Sequence, residues 1–340
     1  MSRSSSNLFL FIAAAAALVL AGCGGAKETQ RESRIVWPGP PDTPRVAYIR
    51  TYRGEDDFSG GIGGVISSLA GKKGIVKLAR PFDVCIADNG RIFVTDAMQG
   101  VLLFDAAEKQ VVALGERSSV ELKDPRGIAY AHGKLFIGLA GSGRVAVLDN
   151  QAQFVRAIGR QGQFGNPVDL VCDTPRNRLY VVDSKLHQVA VYTEGGDSLF
   201  VIGRRGSGDG EFNYPQSAAV DASGNLYVVD SFNFRIEEFD STGKFLRTFG
   251  KQGDAFGTFA RPKGIALDSF GNIYVLDGLH NNFQIFNNAG DLLMFVGRYS
   301  PNNDGFEDPV SIAIGRTNEI YVTDNLNGRV QVFQLLSGHE

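Results

Sequence analysis

The chain has 340 residues, 43% of them hydrophobic, with 34 Lys+Arg against 37 Asp+Glu and a formal net charge of −3. This length allows one large closed domain or two ordinary ones, and the balanced charge gives no sign of the basic face that a nucleic-acid binder needs. Gly is abundant at 42 and the aromatics are mostly Phe (24) and Tyr (10), as suits a turn-rich all-β protein. In chain order, the first element is a short polar start containing Arg3, followed by an apolar run from Leu8 to Leu20. That run falls short of the roughly 20 residues a membrane-spanning helix needs. It reads instead as a cleavable export signal over residues 1–22.

Leu20-Ala21-Gly22-Cys23 closes the run. These four residues resemble the lipobox of bacterial lipoproteins. The resemblance implies that Cys23 becomes the first residue of the mature chain and carries acyl chains. An ordinary signal peptide with an incidental Cys is the plainer alternative. Each buried acyl CH₂ contributes about 0.8 kcal/mol, so two or three chains anchor a protein permanently. Gly24, not Asp, follows the Cys. By resemblance to enterobacterial sorting, this points to the outer membrane.

Residues 23–44 read as a lipidated Cys and a tether, polar at first and then rich in proline (Pro38, Pro40, Pro41, Pro44). Such a stretch favours extended polyproline geometry. Trp37, the only Trp, suits an interfacial anchor, a partner anchor or, more plainly, docking on the rim of the following domain. An insert then runs from Glu55 to Lys77, glycine-rich and apolar, with Ile62, Val65, Ile66 and Leu69 as the candidate partner-binding residues. A loop without a role is the alternative there.

From Pro81 onward the chain repeats. Pro81, Pro125, Pro167, Pro215, Pro262 and Pro309 recur with the same surroundings. After each proline come a short apolar run, a turn, and a β-branched or aromatic strand such as Leu226-Tyr227-Val228-Val229-Asp230. A third strand follows (Arg235–Phe239), then a fourth (Phe245–Gly250). Four antiparallel strands per unit describe a propeller blade, and no helical pattern separates the runs as βαβ units would require. The units resemble NHL repeats over about residues 80–333, most closely in NLYVVDSFNFRIEEF (225–239) and EIYVTDNLNGRVQVF (319–333). The expected fold is an all-β, six-bladed β-propeller spanning 45–340. Too few residues follow Pro309 for a fourth strand, whereas residues 45–53 match one, so an N-terminal strand is expected to close the last blade. Closure would remove an unpaired edge.

The most repeated polar residue is the Asp ending the second strand: Asp96, Asp183, Asp230, Asp277 and Asp324, with Leu139 in blade two. Five positions later stand Arg144, Gln188, Arg235, Asn282 and Arg329 in blades two to six. A carboxylate at a tight turn accepts backbone N–H groups and pairs with a following Arg, so these read as turn-building residues. The two positions after each proline should lie at the mouth of the central channel. Asp83, Arg126, Asp169, Gln216 and Lys263 are therefore candidate binding residues. Asp83 and Asp169 suit either a bound cation or pairing with Arg126 and Lys263 to fill the channel.

His187 and His280 resemble, faintly, part of the zinc site of peptidylglycine amidating lyases. Catalytic zinc usually takes three protein ligands, and blade one offers only Met98-Gln99. Two surface histidines without function is the alternative, and no cofactor is expected. Cys85 and Cys172 fall on opposite sheet faces by alternation, which argues against a disulfide. The sequence thus favours a monomeric, lipid-anchored propeller that binds another cell-envelope protein and no nucleic acid. The alternative is a propeller hydrolase, lyase or ligand-binding protein with a metal at the channel mouth.

Overall fold

The computed structural model describes residues 34–58, 76–116, 118 and 120–336. The lipobox residues Leu20 to Cys23, and the insert residues Ile62, Val65, Ile66 and Leu69, lie outside them. Six sheets follow one another along the chain, each of four or more antiparallel strands. They form blades one (residues 81–113), two (125–158), three (167–202), four (215–249), five (262–296) and six (309–335).

The last blade is completed from the other end of the chain. Strand β1 (Val36–Trp37) pairs with β2 (Val46–Tyr52), and β2 pairs antiparallel with the third strand of blade six, from Val46↔Leu335 to Tyr52↔Val330. The expected closure of the ring is therefore present, and it extends further than expected. Part of the expected tether belongs to the fold, because Ile35 accepts a backbone hydrogen bond from Tyr48 and the Trp37 ring sits edge-on to Phe333 at 5.6 Å. The physical cause is local. Val36 and Trp37 are good strand residues, and the proline-rich turn brings them back onto β2.

The core is not one body but a set of wedges. Separate clusters of buried side chains lie between blades one and two, two and three, three and four, four and five, five and six, and six and one. This explains why second strands such as Leu226–Asp230 and Ile273–Asp277 are buried throughout. Both of their faces meet a neighbouring blade, so they read as continuous apolar runs. Fourth strands such as Phe245–Phe249 alternate between half-buried and exposed.

Each blade proline opens an innermost strand, and the pairing register shifts immediately after it in all six blades. A proline lacks the N–H that a ladder needs, so a strand start beside a bulge is where it fits. The bulge turns the next residues towards the channel.

Candidate interaction face and channel mouth

The strand-ending aspartates organise one end of the propeller. Asp96, Asp183, Asp230, Asp277 and Asp324 are all fully buried. Asp96 accepts the N–H groups of Ala79 and Arg80 through one oxygen and those of Met98 and Gln99 through the other. Asp277 does the same with Ala260, Arg261, Leu279 and His280. Each carboxylate thus staples the turn after its own strand to the loop entering its own blade. The expected pairing with the residue five positions on is present at Arg235 (3.0 Å) and Arg329 (2.7 Å). In blade five Asn282 leaves its Oδ1 buried without a partner.

The carboxylate holds the turn through its backbone N–H groups in blades one, three and five and through the Asn233 and Asn327 side chains in blades four and six, and the side chain at the turn's tip projects outward. Met98 is 72% exposed, Leu279 62%, Phe232 53%, Leu326 49% and Leu186 42%. These five occupy the same turn in blades one, five, four, six and three, and blade two has Gly141 there. Together they make a broken apolar ring around the channel mouth. Sequence reasoning missed it, although an apolar residue recurs two or three positions after each strand-ending Asp. Isolated exposed apolar residues mean little; here they recur at one turn position in five blades, all on the same face.

Inside this ring the channel narrows. Phe82, Val168 and Val310 crowd the mouth together with Gln216 and Lys263. The guanidinium of Arg126 lies 5.0 Å from the Phe82 ring centroid and pairs with Asp124 at 3.0 Å. Lys263 pairs with Asp308 at 2.7 Å. Neither cation meets Asp83 or Asp169, so the expected pairing across the channel is replaced by pairs within the loop face. Gln216 turns its amide towards the Tyr214 carbonyl at 3.4 Å.

Asp83 and Asp169 instead hold blades together. Asp83 accepts the N–H of Ile128 in blade two at 2.7 Å, the Ser311 hydroxyl of blade six at 2.5 Å, and the N–H of Val84. Asp169 accepts the Ser217 hydroxyl at 2.7 Å and the Ala218 N–H at 2.8 Å, both from blade four. Ser217 in turn accepts the Ile265 N–H of blade five at 3.2 Å. Blades two and five carry Gly127 and Gly264 at this position, because a Cβ would stand 2.6 Å from the Asp169 backbone and 3.0 Å from Ile312 N. Blade-to-blade contact there is backbone against backbone.

Burial, reinforced by the charge of Asp169, holds the Asp83 carboxyl well above the ordinary carboxylate range. Burial raises Asp169 to about 6. A raised folded-state pKa contributes stability that is full below the unfolded value and is lost as pH rises through the folded one. The melting temperature should therefore fall between about pH 4 and pH 7. Asp169→Asn keeps an acceptor for Ser217 and Ala218, and is expected to flatten that fall. A pH series of thermal melts on both chains checks it, and parallel curves would refute the assignment.

Below the polar ring the channel widens into a cavity of about 300 Å³. It is lined at equivalent positions by Ile86, Tyr130, Cys172, Val220, Leu267 and Ile314. Cys85 and Cys172 are free thiols, packed in the separate wedges on either side of blade two. Opposite faces were expected of them, and burial pushes both thiols up, which suits inert core residues.

The histidines are not a matched pair. His187 is 7% exposed and its Nδ1 accepts the Tyr214 N–H at 3.1 Å. It takes the left-handed turn position that Gly100, Gly143, Phe234, Asn281 and Gly328 take elsewhere. Asn281 performs the same service for Asp308 N. His280 stands one position earlier in its repeat, with Nδ1 3.5 Å from Asp277. The surface location expected of His187 is thus corrected: it is a buried turn residue. No group of three or more metal-ligating side chains occurs among the described residues.

A family model described as a 6-bladed beta-propeller (DUF5128) matches residues 164–250, and an NHL-repeat model matches 306–333. The chain is a six-bladed β-propeller carrying an NHL repeat. Among solved structures the propeller is similar to a Bacteroides thetaiotaomicron protein of unknown function, with 15% identity over 76% of this chain and 70% of that one and a TM-score of 0.63. It is similar also to virginiamycin B lyase from Staphylococcus aureus (10% identity, 76% of this chain, 96% of that one, TM-score 0.56). A third is an auxiliary nutrient binding protein from Bacteroides thetaiotaomicron (18% identity, 75% and 69%, TM-score 0.57). At these identities the likeness is one of fold. No curated protein matches the sequence.

Proposed function

We propose that this propeller is a lipid-anchored interaction module of the bacterial cell envelope, presenting its loop face to a partner protein. The observation that carries the reading is the apolar ring of Met98, Leu186, Phe232, Leu279 and Leu326. It is built by the repeat itself, and rigidly, because buried aspartates pin the turns that bear it. Such a surface suits a broad protein contact, with aromatic and aliphatic side chains as anchors. At the channel mouth beneath it, Asp83 and Asp169 already accept hydrogen bonds from backbone and serine, which supports a blade-joining role for them in this reading. Export and anchoring rest on the lipobox-like Leu20-Ala21-Gly22-Cys23.

Two measurements test the halves of this reading. Metabolic labelling with a fatty-acid analogue should mark the natural chain and leave Cys23→Ala unlabelled; equal labelling sinks the anchor. A photo-crosslinker at Phe232 or Leu279 should give one shared adduct in intact envelopes. The same group at Phe270, which is 63% exposed on the opposite face, should not give it. Identical adducts from both faces would end the claim that the loop face is the binding surface.

A further inference from the structure

On the reading that Cys23 is acylated, we propose that the outer edge of blades five and six, around Trp37, rests against the phospholipid bilayer. A groove of about 570 Å³ lies there, lined by Trp37, Pro38, Leu293, Met294 and Phe295, with Asp42 and Arg45 contributing opposite charges. Met294 faces inward onto the wedge between blades five and six, which leaves Leu293 and Phe295 exposed on the outer strand. Phe256, 62% exposed, stacks on Phe295 with ring centroids 3.9 Å apart. Ile49, four residues along β2 from the groove's Arg45, adds a further exposed aliphatic group on this outer strand. Outer strands elsewhere also expose apolar residues, Phe154 and Val155 in blade two, Leu199 and Val201 in blade three, and Leu246 in blade four. What this edge adds is the stack of Phe256 on Phe295 and the groove beside Trp37.

The occupant follows from where the described chain begins. Arg34 enters the fold three residues before Trp37, so this edge is the first part of the propeller reached from the anchor. The eleven Cα–Cα steps from Cys23 to Arg34 span at most about 40 Å even when fully extended. A tether of that reach turns contact between this edge and the bilayer into an intramolecular event, favoured by a high effective concentration. Indole rings favour the headgroup level, where an apolar body and a polar N–H are both satisfied. The groove's charges cancel, so the attraction is apolar and does not call for acidic lipid.

Trp37 is the only Trp in the chain, so its fluorescence reports on this edge alone. The natural acylated chain, reconstituted into phosphatidylcholine vesicles with brominated acyl chains, should lose Trp emission relative to vesicles of plain lipid. The Phe256→Ser/Leu293→Ser chain should float with the vesicles and melt as the natural one does, yet keep its emission. The Cys23→Ala chain, titrated with the same vesicles, separates this surface from the anchor. Emission that falls as lipid rises upholds the surface even if labelling shows that Cys23 carries no lipid. Absence of quenching in both the natural and the Cys23→Ala chains overturns the proposal. So does quenching that survives unchanged in the double variant. Protection of Trp37 from acrylamide in native membranes, without lipid quenching in vesicles, would assign the groove to a protein and overturn it as well.

Discussion

Arg329→Met is expected to destabilise the propeller by about 3–5 kcal/mol, because it leaves a buried carboxylate without its counter-charge. Both Arg329 and Asp324 are fully buried, with Nε donating to Asp324 at 2.7 Å. The same guanidinium also donates to the carbonyls of Pro301 (3.0 Å), Asn302 (2.7 Å) and Gly305 (3.0 Å). One side chain therefore pins the whole loop entering blade six. Methionine fills the volume, but Asp324 keeps only neutral donors, from Glu307 N and Asn327, and the Pro301 and Asn302 carbonyls lose the guanidinium, while Gly305 retains Gln331. Arg235→Met in blade four should cost less, since that side chain is 12% exposed and water can reach the groups it abandons. Urea denaturation of the two variants gives the ranking. Equal, small losses at both positions would mean the buried ion pair contributes nothing.

Removing the closing strand should be as damaging. A chain deleted through Arg53 loses β1 and β2, and with them the fully buried Val46 and the nearly buried Tyr52. It also loses the backbone pairing from Val46 to Tyr52. Each large apolar side chain contributes about 1.5–3 kcal/mol when buried, and each hydrogen bond a net of about 0.5–1.5 kcal/mol. After the ordering entropy is set against this, several kcal/mol remain, a large share of a typical domain's stability. The third strand of blade six would also be left as an open edge that invites aggregation. Deletion of residues 24–33 alone should be nearly neutral. Deletion through Pro44 should fall between the two, because it takes the Trp37 ring off Phe333. Thermal melts and soluble yields of the three truncations give the order. Three similar melting temperatures would show that β2 does not close the ring.

Much of this was legible in the sequence because the fold is written six times. Proline spacing and the Asp-terminated second strand fixed the blades, and arithmetic on the final repeat located the closing strand. Trp37 and its short strand were harder to read. A two-residue strand has no period, and the prolines around it suggested a tether. At the channel mouth the sequence singled out Asp83 and Asp169 correctly as unusual. It misjudged their partners, because alternation along one strand does not reveal which backbone N–H groups a neighbouring blade turns towards the channel. The apolar ring was missed for the opposite reason. Its signal is one residue per repeat, and in each repeat taken singly that residue looks like an ordinary exposed turn position. His187 was expected at the surface because nothing in one repeat shows that a left-handed turn residue can be buried; here its ring nitrogen does the work of an asparagine side chain.

The sharing of blade six between the two ends of the chain has a consequence for how the protein is made. Strand β2 is synthesised near the start, yet its partner, Arg329–Leu335, is among the last residues to appear. No earlier moment exists at which the ring can shut. Local hairpins in blades one to five can form as they emerge, but the contact that joins the ends spans nearly the whole chain, and such non-local pairings form slowly. Through that interval β2 and the innermost strand of blade one wait with apolar faces uncovered, which is when large β proteins aggregate. A ribosome stall or premature stop before residue 329 would thus release a chain that cannot close. Quality control could recognise it by that waiting strand.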